Sequence, residues 1–218
     1  MKRLSLALLL TLAAMLFVSV AAFSDTLTFV NVGPGNTFSG PGETVYAYPY
    51  NFSVNGSSNL TSMLCNDWSD QIYFGESWTA NLQTASQAAG TNYLGVVNPT
   101  ADYNEAAWLF TQLNGSNDVA VNAAIWSIFD PNVIPYLTSP ELTLLTDAGS
   151  YANVDTPGVG FYTPVGFTHG DSVQVQTAPQ QFIVTTPESP MSLMLWADFL
   201  GLLALLDLSR KLGWKLNV

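Results

Sequence analysis

The sequence predicts an α+β protein: an antiparallel β-sheet or barrel-like domain with a two- or three-helix insertion, flanked by an N-terminal signal peptide and a C-terminal hydrophobic helix. Three observations predict it. Apolar residues alternate with polar ones near both ends of the middle region, they recur at helical spacing in its centre, and all permanent cations lie at the extremities. The chain has 218 residues with five Lys and Arg against sixteen Asp and Glu. The basic residues are Lys2, Arg3, Arg210, Lys211 and Lys215. No Lys or Arg therefore lies between Leu4 and Ser209, which excludes a nucleic-acid partner, because phosphate neutralisation needs basic side chains on the contact face. A single cysteine excludes an intrachain disulfide framework.

The amino end reads as a secretory signal peptide over residues 1–22. Lys2 and Arg3 precede an uncharged apolar run from Leu4 to Val18, and small residues at Ser19, Ala21 and Ala22 mark a cleavage region. A buried helix in its place would need a polar stripe for its solvent side, and none is present.

Residues 23–186 form the exported domain. Leu27 and Phe29 alternate with Thr26 and Thr28, Val45 to Phe52 is Tyr-rich, and Met63 to Trp78 carries β-type residues between turn formers. Gly33-Pro34-Gly35 and Asn55-Gly56 supply turns. The period then changes. Asp102 and Glu105 form a capping-box pattern before the stripe Tyr103, Ala106, Ala107 and Phe110. A second helix begins near Asn117 or Asp118 and places Val121, Ala124, Ile125, Ile128 and Phe129 on one face before Asp130-Pro131 ends it. Ser139-Pro140-Glu141 opens a third helix that closes at Gly149, and Val173-Val175 and Phe182-Val184 return to strand period.

The third segment, residues 187–218, is an apolar run from Met191 to Leu208 with a basic stop at Arg210, Lys211 and Lys215. At 1.5 Å per residue such a helix is about 27 Å long, enough for a hydrocarbon core. Asp198 near its centre costs about 2.5 to 3.5 kcal/mol, whereas eight Leu and Phe199 return about 3 to 5 kcal/mol, so the segment reads as a transient anchor.

The order Thr186-Pro187-Glu188-Ser189-Pro190, apolar helix, Arg210-Lys211-Leu212 resembles the PEP-CTERM sorting signal, which exosortase enzymes process in Gram-negative bacteria that make extracellular polysaccharide. Ser189 intrudes between Glu188 and Pro190, and Asp198 and Asp207 interrupt the helix. The resemblance makes Pro187, Glu188 and Pro190 the sorting motif. It implies an exosortase-like processing enzyme and the membrane as partners, and a destination at the envelope, surface or extracellular matrix of a Gram-negative bacterium.

A second resemblance lies within residues 64–130. The series Leu64-Cys65-Asn66-Asp67, then Tyr103 to Leu109, then Asn122-Ala123-Ala124-Ile125-Trp126, is similar to the thioester domains of bacterial surface adhesins. In that family a cysteine near a strand end is bonded to a glutamine opening a Gln-x-Ala-Ile-Trp helix. Here Asn122 holds the glutamine position, one methylene shorter. Thioester formation needs the thiolate within about 3 to 3.5 Å of the amide carbon. Cys65 and Asn122 are accordingly the degenerate thioester pair.

Other chemistry is thinly specified. Cys65 as a nucleophile would need His169, about a hundred residues away, and a buried inert thiol is the simpler expectation. Asp67, Asp70, Glu76, Asp102 and Glu105 show no acid-base spacing and read as a solvated face; residues 66–70 lack the calcium-loop pattern. Trp68, Trp78, Trp108 and Trp126 could stack sugars but sit in apolar contexts that predict core packing. Neither catalytic residues nor a metal or cofactor is expected. The function read from the sequence is that of an exported, transiently anchored, non-enzymatic surface or matrix protein. Its further partners would be extracellular polysaccharide or a host or neighbour surface. Alternatives are a covalent thioester adhesin through Cys65 and a matrix-polymer hydrolase.

Overall fold

In the computed structural model the described residues are 24–33, 36–167, 169, 172–173, 176–177 and 179–186. The expected signal peptide and the expected sorting segment from Pro187 onward, with its basic stop, lie outside them, as do Pro34 and Gly35. Among the described residues, no helix is long and apolar enough to cross a membrane.

In chain order the strands before the helices are β1 (Ser24–Val32), β2 (Thr37–Ser39), β3 (Thr44–Tyr46), β4 (Tyr50–Val54), β5 (Thr61–Cys65) and β6 (Ser77–Gln83). Four helices follow: α1 (Ala85–Thr91), α2 (Pro99–Phe110), α3 (Asp118–Phe129) and α4 (Ser139–Ala148). Strands β7 (Val159–Pro164), β8 (Ser172–Val173), β9 (Gln176–Thr177) and β10 (Phe182–Thr185) complete the described chain. Six of the strands close a barrel in the order β1-β4-β5-β10-β7-β6. Every neighbouring pair is antiparallel.

The barrel follows from side-chain alternation. Leu27 and Phe29 on β1, Tyr50 and Phe52 on β4, Met63 and Cys65 on β5, Trp78 and Ala80 on β6, Tyr162 on β7, and Phe182 and Val184 on β10 share one interior core. Phe182 lies among Tyr50, Phe52 and Trp78, with ring centroids 5.5, 4.6 and 6.2 Å away. The residues between them point outward. Leu64, Phe161 and Ile183 join a second core with the helices: Ala85, Ala88, Tyr103, Ala106, Leu109, Val121 and Ile125 pack there. One wall of the barrel is thus buried on both faces. All six residues of β7 are buried for this reason.

Several boundaries differ from the sequence reading. The Tyr-rich run 45–52 is two strands, because Pro49 offers no N–H to a ladder. The helical insertion has four α-helices, all between β6 and β7. The additional one, α1, opens with a capping box in which Thr84 and Gln87 exchange side-chain-to-backbone hydrogen bonds. Helix α2 starts at Pro99, whose fixed φ suits a first turn, so Asp102 and Glu105 lie within the helix and are not its cap. Helix α3 occupies the expected span. In α4 the N-cap is Thr138, one residue before Ser139, and Glu141 completes the box. The turn after β4 has both Asn55 and Gly56 at positive φ, 53° and 75°.

Candidate functional site

The chain leaves the barrel at the end of β5, and the residues just beyond gather most of the buried polar groups. Alternation turns Cys65 inward, where it is wholly buried. Its thiol donates to the Asp67 carbonyl oxygen at 3.0 Å, and the Asp67 N–H approaches the sulfur at 3.4 Å. Burial above all, and then the Asp67 charge, push the thiol well above its ordinary pKa, so it stays protonated.

Asn122 comes from the barrel-facing side of α3 and is also wholly buried. Its Nδ2 donates to the Cys65 carbonyl oxygen at 2.8 Å, and its Oδ1 accepts the Tyr48 N–H at 2.8 Å. Cys65 and Asn122 are therefore neighbours, joined through the Cys65 main-chain carbonyl. The amide, however, serves the main chain at both ends. It ties α3 to β5 and to the segment leading into β4. Trp126, one helical turn on, packs edge-on against Trp68 at 5.1 Å between ring centroids, and Trp68 does the same against Phe38 at 5.8 Å. Gly40 lets the chain pass over this pair, since a Cβ there would lie 2.5 Å from the Trp68 ring.

A second group of partners, unanticipated in the sequence, comes from the residues before β10. Gln181, wholly buried, receives hydrogen bonds on Oε1 from Asn66 Nδ2 at 2.7 Å and Tyr103 Oη at 2.9 Å, and its Nε2 donates to Thr163 Oγ1 at 2.7 Å. Its neighbour Gln180 donates to the Asp67 carbonyl oxygen at 3.1 Å and also to that of Asp70. Two adjacent glutamines beside a strand carry no distinctive sequence signal. Only the closure of the barrel brings them opposite residues 66–70.

The solvated-face reading fails for Asp67 and Asp70, which are 2% and 6% exposed. The Asp67 Oδ1 accepts the N–H groups of Ser69 at 3.0 Å and Asp70 at 3.3 Å, folding the turn around its own carboxylate. His169 reaches the same oxygen, Nε2 to Oδ1 at 3.3 Å, and stands 4.0 Å from Asp70 Oδ2. The hydrogen bond to Asp67 raises the His169 pKa above its ordinary value; burial opposes it, and the charges of Asp67, Asp70 and Asp130 add to it. The imidazole is engaged with carboxylates, while the Cys65 thiol is engaged with a carbonyl. The two do not form a nucleophile–base pair.

The site borders a cavity of about 310 Å³ whose lining includes Asp67, Trp68, Asp70, Gln71, Tyr73 and Phe74. Tyr73 and Phe74 are more than half exposed, whereas Trp68, Trp78 and Trp126 are buried in the core. Trp108 stacks on Tyr151 at 4.4 Å, 13° from parallel.

The raised pKa of His169 has a measurable consequence. A group whose folded-state value exceeds its unfolded value of about 6.5 stabilises the fold fully below that value and loses this contribution as pH rises through the folded one. Urea midpoints of the metal-free chain are expected to fall across that window above pH 6.5, and His169→Gln to remove this component of the slope. Indistinguishable pH profiles for the two proteins would refute it.

No family model, curated protein or solved structure matches the chain.

Proposed function

We propose that this chain is an exported, non-enzymatic bacterial surface or extracellular-matrix protein. It is held briefly in the membrane by its C-terminal helix, sorted there by an exosortase-like enzyme, and contributes its barrel as a structural or adhesive module. The observation that carries the domain's role is the use of Cys65 and Asn122. Both are sealed in the core, and both spend their polar atoms on main-chain partners. A protonated thiol away from solvent is no nucleophile, and a doubly bonded amide is a fastening. Restriction of Lys and Arg to the two apolar ends supports the export and sorting part.

Two experiments test this reading. In membrane and medium fractions of a Gram-negative host with exosortase, the full chain is expected to pass from membrane to exterior. A form truncated before Pro187 is expected to bypass the membrane-held stage, and identical partitioning of the two forms contradicts sorting. The purified chain, freed of its leader, is expected at its full mass, with Cys65 alkylated only after denaturation. Loss of one ammonia together with permanent protection of the sulfur would instead establish the covalent adhesin, the reading favoured by the closeness of Cys65 and Asn122.

A further inference from the structure

We propose that Asp67, Asp70 and His169 form a binding site for one divalent transition-metal cation of the zinc class, at the edge of the cavity beside β5. The proposal stands apart from the reading of export and sorting.

The donor atoms are already gathered near the spacing an ion imposes. One atom from each of the three side chains lies within 4.8 Å of the others. His169 Nε2 is 3.3 Å from Asp67 Oδ1 and 4.0 Å from Asp70 Oδ2. A tetrahedral ion with bonds of about 2.0 to 2.1 Å holds its ligand atoms about 3.4 Å apart, so His169 and Asp67 already match that spacing and an inward shift of Asp70 completes three sides of a coordination shell.

An independent observation points to a missing cation. Asp67 Oδ2 is buried and has no hydrogen-bond partner, although Oδ1 of the same carboxylate accepts two backbone N–H groups. The Asp67 side chain is only 1% exposed, so bulk solvent does not solvate that oxygen. A carboxylate oxygen left this way is strongly unfavourable unless a positive charge meets it. Among the described residues there is no Lys or Arg to supply that charge, and His169 is the chain's one histidine.

The surroundings suit an ion. Gln180 grips the carbonyl groups of both Asp67 and Asp70, holding the turn that presents the carboxylates. Both aspartates line the cavity, which leaves an approach for the ion and room for a water or ligand in a fourth position. One imidazole with two carboxylates suits zinc better than calcium, which takes six to eight oxygens.

The test uses the untagged full-length chain in detergent, stripped of metal and titrated calorimetrically with zinc chloride. One zinc per chain is expected, with binding at least about tenfold weaker in His169→Gln and in Asp70→Asn. Glu43→Gln, which alters another cavity-lining carboxylate, is expected to bind as the parent does. Calcium is expected to bind at least about tenfold more weakly than zinc. A diethylpyrocarbonate adduct located on His169 by peptide mass mapping reports on that imidazole without any variant, since the parent has a single histidine. Saturating zinc is expected to block that adduct. The absence of stoichiometric zinc binding, retention of full affinity in His169→Gln, equal affinity for calcium, or an imidazole still reactive under saturating zinc would each overturn the proposal.

Discussion

Replacement of Phe182 by Ala is expected to lower the unfolding free energy by about 3 to 5 kcal/mol, the cost of deleting a large aromatic ring from a core that cannot collapse around the gap. Phe182 is wholly buried on the strand that closes the barrel, and its ring meets three aromatic neighbours from β4 and β6. Truncation removes both its own burial and the ring contacts of Tyr50, Phe52 and Trp78. Urea denaturation followed by tryptophan fluorescence measures the loss, with Leu60→Ala as a reference: Leu60 is 44% exposed, and its change is expected within about 0.5 kcal/mol of zero. A Phe182→Ala cost below about 1 kcal/mol would mean that the interior is not packed as described.

Asn122→Ala is expected to cost about 2 to 6 kcal/mol for a different reason. The substitution leaves the Tyr48 N–H and the Cys65 carbonyl without their partner, and each unsatisfied group costs about 1 to 3 kcal/mol. Asn122→Asp separates the two bonds. Its carboxylate can still accept from Tyr48 but opposes the Cys65 carbonyl oxygen, whereas its protonated form can donate there. A buried carboxyl of this kind has a raised pKa in the folded state. Asn122→Asp is therefore expected to regain stability as pH falls through that raised value and to lose it as pH rises. Denaturant midpoints at mildly acidic and neutral pH check this, and a variant equally stable at both would show that Asn122 is not the fastening described.

Legibility in the sequence followed the environment of each segment. Strands β1 and β10 and helix α3 announce themselves because their apolar residues keep a clear period. Strand β7 does not: Val159-Gly160-Phe161-Tyr162-Thr163-Pro164 is buried on both faces, so the contrast that marks period two is gone. Helix α1 is only seven residues long, with alanines instead of large apolar side chains, and its one sequence mark is Thr84-x-x-Gln87. The site was half legible. Cys65 and Asn122 could be paired through resemblance, but the burial of Asp67 and Asp70 and the arrival of His169, Gln180 and Gln181 depend on contacts more than a hundred residues apart. Local pattern carries no information at that range.

Placement of β10 between β5 and β7 sets the order in which the molecule can assemble. During synthesis or threading, amino end first, five staves can align while the seam stays open, exposing two unpaired backbone edges until Phe182–Thr185 emerges. The last stave is followed at once by the stretch from Pro187, so tension applied there would pull first on the seam.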